Sequence, residues 1–124
     1  MEIIQTAKAS QPLGHYSQAV VHNGLVYVSG QLGIKLDNPA EPAGDIEAQT
    51  KCALQNLDSI LIECGSSKHR VLKTTVYIAD LGLWKRVNQV YAEFFGEHKP
   101  ARSAVPVKEL PRNFLVEIDA IAAV

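Results

Sequence analysis

An Asn23-Gly24 pair between two β-prone runs is the feature that most constrains how this chain folds. The runs are residues 18–22 (QAVVH) and 25–29 (LVYVS). Asn-Gly favours a type I′ turn, because both positions of that turn need a positive φ angle and its twist matches that of two antiparallel strands. The sequence therefore predicts a β-hairpin here, with Ile3-Ile4 as a short edge strand before it.

Two segments repeat apolar residues at spacings of three and four, which predicts amphipathic helices. The first begins after Asp45, a suitable N-cap, and ends before Gly65; the second runs from about residue 83 to residue 95, before Gly96. The positions expected to face the core are Thr50, Ala53, Leu54, Leu57, Ile60, Leu61 and Cys64 in the first helix and Trp84, Val87, Tyr91 and Phe94 in the second.

Three further segments, residues 71–79, 101–107 and 114–122, alternate as strands do. The expected core-facing positions are Leu72, Thr74, Val76 and Ile78 in the first, Ala101, Ser103, Val105 and Val107 in the second, and Phe114, Val116, Ile118, Ala120 and Ala122 in the third. An antiparallel hairpin across residues 108–113 is expected to place the apolar sides of the last two strands on one face.

The element order β-β-β-α-β-α-β-β predicts a single α+β domain over residues 1–124. One mixed six-stranded sheet with both helices packed on one face satisfies this order. The opposite face would carry polar residues such as Lys73, Thr75 and Tyr77, which cannot close a dry core alone. We therefore expect a partner subunit to cover it.

Composition excludes several functional classes. The net charge of −1 gives no general attraction to nucleic acid, so nucleic acid is not an expected partner. No apolar stretch approaches the roughly 20 residues that span a bilayer, and no signal pattern opens the sequence, so a cytoplasmic location without membrane contact is expected. Cys52 and Cys64 would lie about 18 Å apart along a helix, too far for a disulfide.

The common catalytic motifs are absent: GxxxxGK, GxGxxG and HExxH do not occur. The four histidines share no metal-ligand spacing, and Ser29-Gly30 lacks the glycine that precedes a nucleophile elbow. We therefore expect neither a metal nor a covalent nucleophile.

Arg102, Glu117 and Asp119 are the remaining candidates, because the expected hairpin would crowd them onto one face. An arginine can clamp a carboxylate with two hydrogen bonds, and a neighbouring carboxylate can orient or deprotonate water. The alternative is a structural ion pair between strands, with Asp119 opposite Arg102. The residue types and the alternation of strand positions between the two faces favour, on their own, this structural pair.

The sequence alone leaves the roles of Tyr16 and Asn88 undecided. Tyr16 is either a ligand-facing aromatic or a ring that covers the sheet edge. Asn88, beside the apolar stripe of the second helix, either caps a neighbouring strand or faces a pocket.

Six segments occur in a characteristic order: residues 14–19 (GHYSQA), 28–31 (VSGQ), 76–81 (VYIADL), 87–91 (VNQVY), 100–105 (PARSAV) and 117–122 (EIDAIA). Together they make nearly the whole chain similar to the RidA (YjgF) family of reactive-intermediate imine and enamine deaminases. The specific part is the P-A-R-S segment followed by E-I-D-A-I-A.

The resemblance implies a chorismate-mutase-like fold assembled as a homotrimer with clefts between subunits. It also implies hydrolysis of 2-aminoacrylate and related 2-imino acids to 2-keto acids and ammonia, without a cofactor. By the same resemblance, Arg102 would bind the substrate carboxylate and Glu117 would position the attacking water. The residues that would line the cleft are Tyr16, Ser29, Gly30, Asn88 and, through its backbone N–H, Ala104.

Two positions depart from the family pattern. His15 stands where many members have proline, which loosens a loop near Tyr16. Ala104 stands where many have cysteine, which excludes any role for a thiol. Two other functions stay open: a module that senses a small carboxylic acid such as a 2-keto acid without turnover, and RNA cleavage linked to inhibition of translation. The near-neutral charge argues against the latter.

Overall fold

The computed structural model describes residues 1–124 and has the α+β architecture that the element order predicts. Its six strands form one mixed sheet in the order β1-β2-β3-β6-β4-β5. The elements are β1 (Glu2–Ile4), β2 (Ala19–His22), β3 (Leu25–Leu32), α1 (Ile46–Glu63), β4 (Val71–Ile78), α2 (Trp84–Phe95), β5 (Ala101–Pro106) and β6 (Val116–Ala123). Neither helix combines the length and apolarity that a membrane-spanning helix requires.

The hairpin of β2 and β3 is confirmed. Asn23 has a φ angle of 51° and Gly24 one of 76°, as a type I′ turn requires. Val21 lies opposite Val26, so the turn sets the pairing of the two strands. β1 adds to the outer edge of β2, where Ile3 lies opposite Val20.

The two helices pack on one face of the sheet, which we call the helix face. The Asp45 side chain accepts a hydrogen bond from the Ala48 amide at 2.9 Å and caps α1. The apolar side of β6 is the centre of the core, and its alternation is confirmed. The buried residues of this side are Val116, Ile118, Ala120 and Ala122, and they share one cluster with Leu54, Leu57, Ile60, Val87 and Tyr91 of the helices.

The predicted hairpin of the last two strands is wrong. β5 pairs with β4 in parallel, with Arg102 opposite Thr74, and β6 lies between β3 and β4. The physical reason is that α2 connects β4 to β5 as a crossover, which is the connection a parallel pair needs. The wholly apolar side of β6 is buried better at the centre of the sheet, whereas every residue of β5 is exposed at its edge.

The alternation predicted for the first residues of β4 is also wrong. The pairing with β6 shifts between Val71 and Lys73, so Val71 is buried and Leu72 is 49% exposed. A bulge adds a residue to one strand and reverses the side-chain alternation beyond it. Thr74, Val76 and Ile78 face the core as expected.

No element of the chain packs across the other side of the sheet, which we call the open face. A continuous row crosses it, because Tyr27 lies opposite both Val20 and Ile121, and Ile121 lies opposite Lys73. Tyr27 is 45% exposed. The open face thus carries apolar side chains beside the polar residues Lys73, Thr75 and Tyr77 that the sequence predicted there.

Candidate functional site

A β-bulge in β3 creates one half of the candidate site. Val28 lies opposite Ala120 and Gln31 opposite Ile118, so Ser29 and Gly30 together face the single residue Asp119. Such bulges bend a strand and redirect the side chains beside it.

Gly30 leaves the space that the Glu117 side chain occupies. A Cβ atom at position 30 would lie 2.8 Å from the carboxyl carbon of Glu117, closer than real Cβ contacts come. The glycine is therefore required by close approach. It lets the carboxylate of β6 lie directly over the bulge.

A cavity of about 530 Å³ opens beside this carboxylate. Glu117, Gly30, Ser29 and Tyr16 all line it, together with residues 10–14. We call these four residues the acidic half-site. The Ser29 hydroxyl donates to the Ser17 carbonyl at 2.6 Å, which leaves its oxygen free to accept.

The loop that carries Tyr16 is fixed by hydrogen bonds. The Tyr16 amide donates to the Gly14 carbonyl at 3.0 Å, which closes a three-residue turn centred on His15. The Leu13 amide donates to the Tyr16 hydroxyl at 3.1 Å. The buried Gln18 side chain, which sequence analysis missed, donates to the carbonyls of Thr6 and Ser10 at 3.1 and 2.9 Å.

Glu117 is a half-buried carboxylate with no cation beside it. Burial raises its pKa above the ordinary value, and the charge of Asp119 raises that pKa further. Asp119 accepts a hydrogen bond from the Tyr77 hydroxyl at 3.0 Å, and this bond raises the pKa of Tyr77. Glu117 is thus poised to hold a proton at a higher pH than an exposed glutamate.

Arg102 lies on the helix face, at the other side of the sheet from Glu117. Its partner in the ladder, Thr74, is buried against α2. Its Nη1 donates to Asn88 Oδ1 at 2.8 Å, and its guanidinium carbon lies 4.6 Å from the centre of the Trp84 ring and 4.8 Å from that of Tyr91. Arg102 and Asn88 line a second cavity of about 340 Å³.

These positions correct the expectation that Arg102, Glu117 and Asp119 share a face. β4 separates β5 from β6, and Asp119 lies opposite Thr75, not Arg102. The only salt bridge in the structure joins Arg86 to Glu47. The predicted structural ion pair between Arg102 and Asp119 is therefore wrong. Neither Arg102 nor Glu117 forms a salt bridge within the chain.

The candidate residues fall into two groups. Tyr16, Ser29, Gly30 and Glu117 come together as the acidic half-site. Ala104 lies on β5 opposite Val76, on the same side as Arg102. We call Asn88, Arg102 and Ala104 the arginine half-site. The structure contains no cluster of three or more His, Cys, Asp or Glu side chains that could hold a metal ion.

Sequence analysis missed the two aromatic rings beside Arg102. Trp84 and Tyr91 were expected only as core residues of α2. Their signal is spacing: Trp84, Asn88 and Tyr91 stand at positions i, i+4 and i+7 of one helix, which places them on one side of it.

Comparison with known proteins identifies the family. The family model described as Endoribonuclease L-PSP matches residues 6–124. A RutC family protein of Pyrococcus abyssi is 46% identical over 121 residues, covering 98% of this chain and 95% of that protein. The human protein named 2-iminobutanoate/2-iminopropanoate deaminase is 38% identical over 120 residues, covering 97% and 88%.

Solved structures agree with this fold over its whole length. RidA from the Antarctic bacterium Psychrobacter sp. matches with a TM-score of 0.96 and 36% identity, covering 100% of both chains. E. coli TdcF with bound serine matches with a TM-score of 0.95 and 35% identity, covering 100% of this chain and 99% of that one. The chain belongs to the Endoribonuclease L-PSP family, and the proteins similar to it include ones named RutC family protein and RidA.

Proposed function

We propose that this protein hydrolyses reactive 2-imino acids, including the tautomer of 2-aminoacrylate, to 2-keto acids and ammonia. The observation that carries the proposal is a pair of complementary, uncompensated charges: an arginine with most of its N–H groups free, and a half-buried carboxylate whose pKa is raised. Hydrolysis of a small imino acid needs both groups: the arginine binds the substrate carboxylate, and the glutamate positions the water that attacks the C=N bond.

Arg102 binds the substrate carboxylate in this proposal. Asn88 accepts from one N–H of the guanidinium, and no carboxylate of the chain contacts the rest. The free N–H groups can form a bidentate pair with a planar anion, which lysine cannot do. The serine bound to E. coli TdcF also carries a carboxylate, which supports a small amino or imino acid as the class of ligand.

Glu117 handles the water and the protons. As a carboxylate it accepts a proton from water while the water oxygen bonds to the imine carbon, giving a carbinolamine. When the imine is protonated, Glu117 then returns this proton to the amino nitrogen. As the C–N bond breaks and ammonia leaves, the Glu117 carboxylate accepts the hydroxyl proton and the C=O bond forms. Because the pKa of Glu117 is raised above that of an exposed glutamate, its carboxylate is a better proton acceptor and can still return the proton.

The two half-sites belong to different subunits in this proposal. One chain holds them on opposite sides of its sheet, so a single chain cannot bring Arg102 to Glu117. If the arginine half-site of each chain faces the acidic half-site of the next, the contact is head-to-tail, and it forms a ring when the rotation between neighbouring chains closes. A homotrimer is the ring that the family resemblance implies, and the uncovered open face supports such an assembly.

The test is ammonia release from serine by a pyridoxal-phosphate dehydratase, with and without this protein. We expect faster ammonia and pyruvate release in its presence, because the enzyme-released 2-aminoacrylate and its imine would no longer wait for spontaneous hydrolysis. Binding of a 2-keto acid without any acceleration would instead support the sensing module.

A further inference from the structure

Three side chains of α2 surround the guanidinium of Arg102, and two of them are aromatic. The distances to the rings, 4.6 Å for Trp84 and 4.8 Å for Tyr91, are those of cation–π contacts. Asn88 supplies the only hydrogen bond. The arginine itself is exposed and belongs to an edge strand, where nothing else would fix its long side chain.

Aromatic contacts fix an arginine differently from a salt bridge. Arg86 shows the contrast, because it forms hydrogen bonds and an ion pair with Glu47 through its Nε and Nη2 atoms. A ring instead contacts the guanidinium through π electrons and leaves the in-plane N–H groups available. Arg102 is thus held in place while it keeps the donors that a carboxylate needs.

The Tyr91 ring is itself anchored to the sheet. Its hydroxyl lies 2.7 Å from the Thr74 hydroxyl in a buried hydrogen bond, and its ring packs 4.7 Å from that of Phe95. Thr74 is the residue directly opposite Arg102 in the parallel ladder. The support for the guanidinium therefore extends from α2 to the strand beside β5.

We propose that Trp84 and Tyr91 are positioning residues, which hold the Arg102 guanidinium in a fixed orientation with its N–H groups free for a ligand carboxylate. This inference rests on the proposed role of Arg102 as a carboxylate clamp. A pre-oriented clamp loses less side-chain entropy when the ligand binds, so its effect lies in affinity and not in the chemical step.

The first test replaces Trp84 with leucine and with phenylalanine. We expect Trp84→Leu to raise the Kd for 2-oxobutanoate, measured by calorimetry, and the KM for imine by roughly three- to tenfold, with kcat within about twofold. Trp84→Phe keeps an aromatic face and should stay within about threefold of wild type. Phe94→Leu is the matched control. Phe94 lies on the same helix as Trp84, but its ring contacts Lys68, which precedes β4, so this variant should leave the Kd unchanged.

The second test reads the contact directly and keeps Trp84 in place. Trp84 is the only tryptophan in the chain, so its fluorescence reports on Arg102. Arg102→Ala should change the Trp84 emission of the ligand-free protein, and 2-oxobutanoate should change that emission in wild type but not in Arg102→Ala.

Either of two results would overturn the positioning role: emission that Arg102→Ala leaves unchanged, or a Trp84→Leu variant that folds and keeps a wild-type Kd. Failure of the proposed function is a separate result. In that case wild type neither binds 2-oxobutanoate nor releases ammonia from imines, while the emission of ligand-free Arg102→Ala still reports whether the contact exists.

Discussion

Arg102 shows how much of the proposed chemistry depends on the shape of one side chain as well as its charge. We expect Arg102→Lys to lower kcat/KM roughly 5- to 150-fold, which corresponds to a loss of about 1–3 kcal/mol of binding free energy. The reason is that an ammonium cannot form the planar two-bond contact. Steady-state deaminase assays measure this. Arg86→Lys, at the exposed pair with Glu47, is the control and should retain full activity. A lysine variant with wild-type kcat/KM would rule out the clamp.

Glu117 is the residue at which activity and stability are expected to oppose each other. Its folded-state pKa lies above its ordinary value, so the folded protein binds the proton more tightly than the unfolded chain does. The free energy of unfolding that this group contributes therefore falls as pH rises through the interval between the two pKa values. Glu117→Gln removes the half-buried charge, so the free energy of unfolding of the variant no longer falls with pH for this reason.

The prediction for Glu117→Gln is thus a variant with little turnover and an undiminished Tm at neutral pH. Thermal unfolding of wild type and variant should agree best at acidic pH, and the variant should gain relative to wild type toward pH 7. A variant that turns over normally would assign the water to other groups. One that loses Tm at neutral pH would contradict the stated cause of the pKa shift.

Individual elements could be predicted from sequence where local chemistry decides them. Asn23-Gly24 sets its turn, Asp45 caps α1, and the apolar side of β6 marks the core. The order of strands could not be predicted, because β5 pairs with the preceding strand β4 through a helical crossover and not with the following strand β6. The assumed pairing of β5 with β6 then placed Arg102 on the wrong face of the sheet. For this reason its contacts with the rings of Trp84 and Tyr91 were not predicted.

The bulge in β3 is the element whose geometry the acidic half-site requires. We expect Gly30→Ala to lower the free energy of unfolding by about 1–3 kcal/mol and to abolish most activity, because the added methyl collides with Glu117. Because the collision involves both side chains, the effects of substitutions at positions 30 and 117 should not add. In a Glu117→Ala background, Gly30→Ala should leave the free energy of unfolding nearly unchanged. Denaturant titrations of the four proteins measure this coupling, and additive effects would show that the bulge backbone is the sensitive part.

At the scale of the whole molecule, the proposal that neighbouring chains share each site can be tested by mixing two defective proteins. Arg102→Ala lacks the clamp and Glu117→Gln lacks the acid, so each alone should be nearly inactive. If each site takes Arg102 from one chain and Glu117 from the next, every mixed trimer restores one of its sites. Random reassembly of equal amounts makes about three quarters of the trimers mixed, and each mixed trimer has one active site out of three. We therefore expect about a quarter of wild-type activity.

The same experiment distinguishes this arrangement from a site within one chain. Each chain of the mixture carries one lesion, so sites built within single chains would gain nothing from mixing. The restored activity should also disappear on dilution, because a ring that dissociates separates its half-sites. Sedimentation at each assayed concentration provides the control for assembly. Mixed trimers without restored activity, or a monomer with full specific activity, would show that Arg102 and Glu117 do not serve one shared cleft.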